Sequence, residues 1–463
     1  MMLTEPVAKR LGRFSVDLRL DTVPEDATRR AKDLLLDHIG VSMLGTQSDW
    51  CKQVRTFTVR DNTASESVMY GAQRVGVRAA AFANGTAAHS FELDDTHEES
   101  VNHPGCVVIP AALAVAEKFR RSGADFLLAM VTGYDVQCRI GAAFGNAIIR
   151  NGFHPTATCG AFGSAAAAAT LMGLSTQSVI DALGLAASMS SGLMEFAADP
   201  ERNVVKRIHG GMPAERGIFA AQLAAEGISA PGSSLDGENG FARVFADSSN
   251  FDRVLDGLGE RFEISAVSVK RYACCKQFHS LIEAIGECRK HRPFDASDID
   301  FIQVFGTNAM IEGHMEYTPR SPMAAQYSLP YTAAVAVMLD PGSPQSFTDK
   351  HYLNQDVLAL TNKVRAEWDE RLEGMYPTSF PAGVRIRLRA GEDLFGEVID
   401  SSSSARRPMA SEQIENKFRS MTEGILNVAV QDAIVDAVSS FECAGSVESL
   451  TSLLVSDPTM TKT

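Results

Sequence analysis

The sequence predicts a mainly α fold with an inserted α+β lid domain, the large all-helical domain being built from both ends of the chain. Three observations predict it. From residue 24 to about 226 apolar residues recur at helical spacing with almost no alternation of period two. Between about 268 and 399 β-branched alternation appears, and after residue 410 helical periodicity returns.

In order, PEDATRRAKDLLLDHIGVSML (24 to 44) has an acidic start and an apolar stripe, the pattern of an amphipathic helix. RVGVRAAAFANGTAAHS reads as a second helix of small residues that allow close approach. PGCVVIPAALAVAEKFRR gives a third and GADFLLAMVTGYDVQCRIGAAFG a fourth, separated by Ser122 and Gly123. His154-Pro155 precedes an Ala-rich helix, and STQSVIDALGLAASMSSGLMEF follows with a Ser/Thr start. Segments apolar nearly all round belong in a domain interior.

FEISAVSVKRY and IDFIQVFG (299 to 306) read as strands, and GVRIRLRAG with LFGEVID (383 to 399) as a hairpin through Gly391. Helices are expected at 277 to 290 and 355 to 371. SEQIENKFRSMTEGIL and VQDAIVDAVSSFE return to the first domain, with SSSSARRP as the linker. The expected domains are therefore 1 to 267, 268 to 399 and 400 to 463, the first and third forming one helical body. There is no internal repeat.

A length of 463 residues makes two domains the default, and 45% hydrophobic with 22% charged residues is the composition of a soluble globular protein. The net charge of −14 argues against general affinity for nucleic acid or anionic membrane. Eight scattered cysteines without a CxxC pair indicate reduced thiols. With no apolar amino-terminal run and no uncharged run of about 18 residues, a cytoplasmic location is expected; Lys9, Arg10 and Arg13 leave organellar targeting as a weaker alternative, opposed by Glu5 and Asp17.

Four clusters carry the candidate chemistry. HSFELDDTHEESVNH (89 to 103) concentrates His89, Glu92, Asp94, Asp95, Thr96, His97 and His103 between two apolar helices. In GFHPTATCG, Pro155 restricts His154 to an extended conformation, aiming its ring from a loop. In NVVKRIHGG, Lys206 and His209 share one face of a helical turn, and Gly210-Gly211 suits close backbone approach. VKRYACCKQFH gathers Lys270, Arg271, Lys276 and His279 at the expected junction of the domains, a cationic cleft for a small polyanion. A metal site on His89, Asp94, Asp95 and His97 is the sharper rival, although its spacing matches no established signature.

These segments in this order, with LLLDHIGVSMLG before them and SLPYTAAVAVML after, resemble the MmgE/PrpD family, which includes 2-methylcitrate dehydratase, cis-aconitate decarboxylase and iminodisuccinate epimerase. The resemblance implies a homodimer, no metal or organic cofactor, and a site using Asp94, Asp95, Thr96, His103, His154, Lys206, His209 and Lys270, with Tyr331 from the lid. The chain departs from it at Glu92, where many relatives have aspartate, and at Ala273, where proline is common.

The expectation is a lyase acting on a small anionic polycarboxylate, as dehydratase or decarboxylase. His103, His154, Lys206, Lys270, Asp94 and Thr96 would be catalytic, and Asp95, His209, Arg271 and Tyr331 would bind substrate. His103 would move the proton at carbon, with His154 or Lys206 serving the second transfer and Asp94 or Asp95 orienting a partner. An epimerase of a dicarboxylic amino or imino acid, a metal-dependent hydrolase and a noncatalytic binding protein are the alternatives.

Overall fold

The computed structural model describes residues 5 to 60, 64 to 199, 204 to 248 and 250 to 455. The first four residues of the amino-terminal stretch read above for targeting, and Asn203 of the NVVKRIHGG segment, lie outside these.

The fold is mainly α with a small α+β region. The elements that position the site are α1 (Glu25–Gly45), α2 (Val77–Ala88), the two-residue strand β1 (Thr96–His97), α3 (Gly105–Lys118), α4 (Gly123–Arg150), α5 (Pro155–Met172), α6 (Thr176–Met189) and α7 (Val205–Ala225). Their ends follow local chemistry. Ser122 and Asp125 close a reciprocal capping box at the start of α4. Pro155 occupies the first turn of α5, where its missing N–H costs nothing, and Gly173 at φ 69° ends that helix in the left-handed conformation. Ser175 then caps α6 by accepting from the Ser178 N–H at 3.2 Å.

Small side chains let these helices pack closely. A Cβ added at Gly211 of α7 would stand 2.1 Å from the Phe82 carbonyl of α2, and one at Gly85 of α2 would stand 2.9 Å from the Gly211 Cα. At this crossing the backbones touch, and only glycine fits. The contact fixes α7, and with it Lys206 and His209, against the helix that leads into residues 89 to 103.

After β2 (Val267–Ser268) come α8 (His279–His291), β3 (Ile299–Gly306), α9 (Leu329–Met338), β4 (Val364–Trp368), β5 (Ala382–Leu388) and β6 (Asp393–Val398). The sheet order is β4-β3-β5-β6, with β3 and β4 parallel and the other pairs antiparallel. The hairpin turns at Gly391, φ 88°. Two sequence expectations change. The helix expected over 355 to 371 ends at Thr361, and Val364–Trp368 forms an edge strand instead. Only Val364 of that strand is buried, so its charged residues mask the alternation, and the unpaired edge of β3 overrides its helical character. The strand expected in FEISAVSVKRY shrinks to Val267–Ser268 behind a 3-10 turn, Glu263–Ala266.

Buried apolar residues fall into two clusters. One runs from Val7 to Val269 and is joined by Met409, Ile414, Phe418 and further residues to Leu454; the other is formed mainly by residues 273 to 394. Helix α10 (Ser411–Thr422) packs on α1, its Phe418 Cα lying 3.1 Å from where a Cβ on Gly40 would stand. No helix among the described residues is long and apolar enough to cross a membrane. Replacing Gly211 by alanine forces α2 and α7 apart. The expected cost is about 1–3 kcal/mol, seen as a lower thermal midpoint by calorimetry.

Candidate active site

The four clusters meet because β1 and β2 pair antiparallel, Thr96 opposite Ser268 and His97 opposite Val267. The Ser268 hydroxyl adds a 2.9 Å hydrogen bond to the Thr96 carbonyl. This short ladder sets Lys270, two residues beyond Ser268, beside the loop that follows α2.

Glu92 is the centre of that loop. Its backbone is in the left-handed region, φ 55°, unusual for a residue with a Cβ, and its side chain is buried. One carboxylate oxygen accepts from Lys206 and, at 2.7 Å, from Arg207; the other accepts from Lys270 at 2.9 Å. Arg207 also donates to Gln326 at 2.8 Å, and the Gln326 amide donates to the carbonyls of Phe91 and Ala273, both at 2.9 Å. Lys206 further lies 5.2 Å from the centroid of the Tyr327 ring. Burial alone would raise the Glu92 pKa, but Lys206, Lys270 and Arg207 outweigh it and hold the carboxyl well below its ordinary range. Burial lowers the Lys206 pKa against the pull of Glu92. At Lys270 burial is more than offset by Glu92 and Asp94, and the pKa is raised.

Beside these charges lie four buried imidazoles. His103 donates through Nδ1 to the Asp95 carbonyl at 2.8 Å, with the Thr96 hydroxyl 3.1 Å away. A carbonyl only accepts, so the proton sits on Nδ1 and the Nε2 lone pair is free. His89 donates from Nδ1 to Asp94 at 2.7 Å; His154 and His209 face each other through Nδ1 at 3.1 Å. The rings of His89 and His103 are 5.1 Å apart, those of His89 and His154 6.0 Å, and Phe196 covers His154 at 5.3 Å. Burial pushes the pKa values of His103 and His209 down to about 3, and lowers those of His89 and His154. All four are neutral at neutral pH. Burial works against the Asp94 carboxylate, but the His89 N–H that it accepts and the nearby Lys270 ammonium hold it below its ordinary range. Three cations, Lys206, Arg207 and Lys270, thus face two carboxylates, Glu92 and Asp94. The excess is positive, as an anionic ligand requires.

A cavity of about 660 Å³ opens onto this arrangement, and Glu92, Thr96, His103, His154 and Lys270 line it. Lys206 and His209 lie behind the wall, against Glu92 and His154, and Asp94 lies behind His103. Asp95 turns away from the cavity. It accepts from the Gly105 N–H at 2.8 Å and the Tyr134 hydroxyl at 2.7 Å, and burial pushes its pKa up to about 7. Its carboxylate anchors the start of α3, leaving its carbonyl to hold His103.

None of the four residues expected to bind substrate lines the cavity: Asp95 turns away, His209 lies behind the wall, and Arg271 and Tyr331 are placed elsewhere. Arg271 points out to a separate surface recess, 3.3 Å from the Ser402 hydroxyl, because adjacent residues project in opposite directions and Lys270 takes the inward one. Tyr331 is buried in the second cluster, its hydroxyl bonded to the Ser346 carbonyl at 2.7 Å. Tyr327, which precedes α9, lines the cavity instead, together with Cys275 and Lys276. Arg207 and Gln326 also belong to the site and were not singled out from sequence. The only sequence signal for Arg207 is its adjacency to Lys206.

The metal alternative required His89, Asp94, Asp95 and His97 to converge. They do not: His97 is paired with Glu263 at 3.2 Å and Asp95 with Tyr134. Among the described residues the group able to hold an ion is His89, Asp94 and Cys106, with ligand atoms within 4.8 Å of one another. Without an ion, burial raises the Cys106 pKa well above its ordinary value.

Glu92→Gln leaves three buried cations without their shared counter-charge, and a loss of about 3 kcal/mol is expected. Folding favours the ionised Glu92. Its contribution is therefore present above the ordinary glutamate value of 4.5 and is lost as pH falls through the lower folded value. Chemical unfolding of both proteins across pH should show a gap that is widest near neutrality, begins to narrow as pH falls through about 4.5 and closes only in acid well below it.

The chain matches the model of the MmgE/PrpD N-terminal domain over residues 9–254 and that of the MmgE/PrpD C-terminal domain over residues 272–442. It is similar to a cis-aconitate decarboxylase of Aspergillus terreus, 28% identical over 97% of this chain and 96% of the relative. It is likewise similar to the cis-aconitate decarboxylase of Homo sapiens, 28% identical over 98% of this chain and 95% of the relative. With both domain models matched in order and relatives aligned over nearly their whole length, the chain belongs to the MmgE/PrpD family.

Proposed function

We propose that the protein is a cofactor-independent lyase that removes carbon dioxide or water from a small di- or tricarboxylate. The observation that carries this reading is one cavity wall that combines the neutral His103 imidazole, its Nε2 lone pair free, with the Lys270 ammonium.

A substrate carboxylate entering the cavity competes with Glu92 for Lys270. Negative charge that develops on the neighbouring carbon spreads into that carboxylate, where the fixed ammonium stabilises it. His103 Nε2 moves the proton at this carbon. In dehydration it accepts the proton, and the hydroxyl leaves as water with a proton from His154, which lines the same cavity. In decarboxylation the bond to the departing carboxylate breaks, its electron pair stays on the carbon, and the same carbon takes up a proton. The charge of the bound polyanion raises the imidazole pKa and so supplies that proton from the imidazolium. Asp94 and the Asp95 carbonyl keep the rings in one tautomer. The names of the relatives favour carbon dioxide as the leaving group and an aconitate-like acid as the substrate.

Proton NMR in deuterated water with citrate, 2-methylcitrate, cis-aconitate and aspartate-derived acids tests this, because loss of water, loss of carbon dioxide and simple exchange give different spectra. Conversion of cis-aconitate with deuterium placed on the new C–H bond is the expected result. Exchange or inversion without loss of either group would instead assign an epimerase. His103→Asn is expected to lower kcat by about 10²–10⁴-fold while the thermal midpoint stays close to that of the parent protein.

A further inference from the structure

We propose that the acid this site accepts carries an uncharged hydrocarbon chain of several carbons on its carboxylate-bearing core. The inference rests on the lyase reading and extends it to the class of substrate.

Volume is the first argument. A compact tricarboxylate such as aconitate has about a dozen non-hydrogen atoms, and even at the ~30 Å³ that a water molecule takes in the liquid these fill only about 360 Å³. The cavity measures about 660 Å³. Close to half of it lies beyond the reach of such a substrate.

Polarity is the second. The lysines in the wall are Lys270 and Lys276, and Lys276 already faces Glu98 at 3.3 Å. Other ionisable positions of the wall include the carboxylates Glu312 and Glu316, which repel a further anionic group. Much of the remaining surface is apolar: Ile149, Met194, Phe196, Met323, Tyr376 and Phe380. Several of these form one continuous face. The Tyr376 and Phe380 rings are 5.5 Å apart, and the Tyr376 hydroxyl donates to Asn146 at 3.5 Å. Asn146 lies three residues before Ile149 on α4 and so on the same side of that helix. The carboxyl end of α4 and the segment before β5 thus enclose an apolar lobe next to a cationic head site. Apolar lining with a few convergent polar groups selects a ligand of matching polarity, and the two methionines adapt to a flexible chain. Water confined in such a lobe is displaced with gain by methylene groups.

Isothermal calorimetry on the full-length protein with tricarballylate and its n-butyl derivative, both unreactive, reads this preference without turnover. The butyl acid is expected to bind at least about tenfold more tightly. Ile149→Trp, which fills the lobe, and Phe380→Ala, which opens it, should each reduce that ratio severalfold. Equal affinities, or tighter binding of tricarballylate, would overturn the inference. So would an unchanged ratio in both variants. Kinetics with cis-aconitate and butyl-substituted cis-aconitate separate the two levels. Failure to convert either acid defeats the lyase reading, whereas conversion of both with a preference for the unsubstituted one defeats only the hydrocarbon chain.

Discussion

One buried carboxylate holds the site together. Glu92 bonds cations from two segments far away in sequence, Lys206 and Arg207 at the start of α7 and Lys270 just after β2. Removing so many charges from water costs several kcal/mol each, and their mutual attraction offsets that only if the geometry is good and every remaining donor is satisfied. Gln326 and Tyr327 meet the second requirement by engaging the outer faces of Arg207 and Lys206. The left-handed backbone at Glu92 is a local cost that the three cations sustain.

The imidazoles depend on the same burial by a different route. Withdrawal from water makes the charged form unfavourable, and the nearby ammonium groups push the same way, so the rings remain neutral although an ionised aspartate stands beside them. Neutral rings need defined donors and acceptors. The Asp95 carbonyl and the Asp94 carboxylate provide them, and the Gly105 N–H and the Tyr134 hydroxyl pin the Asp95 side chain while its carbonyl faces His103.

A rigid frame makes such placement possible. Glycine and alanine at the α2, α5 and α7 contacts bring backbones together with few rotatable side chains between them, so the loops at their ends inherit little freedom. The second apolar cluster closes the cavity from the other side through the segments that carry Tyr327, Tyr376 and Phe380. Head-group chemistry comes from the helical side, and much of the apolar wall comes from the sheet-bearing side.

Sequence by itself determined what is local. Helices α1 to α6 follow from spacing and composition, α4 from the Ser122 and Asp125 cap, and the β5–β6 turn from Gly391. The crowding of titratable residues in 89 to 103, and the motifs at His154, Lys206 and Lys270, were legible because rare residue types stood in apolar surroundings. Tertiary structure alone decided which way each side chain faces. It turned Lys270 inward and Arg271 outward, chose Tyr327 over Tyr331, made Val364–Trp368 a strand, and set Glu92 among three cations. Periodicity and capping act over a few residues along the chain, whereas the direction of a side chain at a cavity is fixed by pairings such as that of Thr96 with Ser268, between segments more than a hundred residues apart.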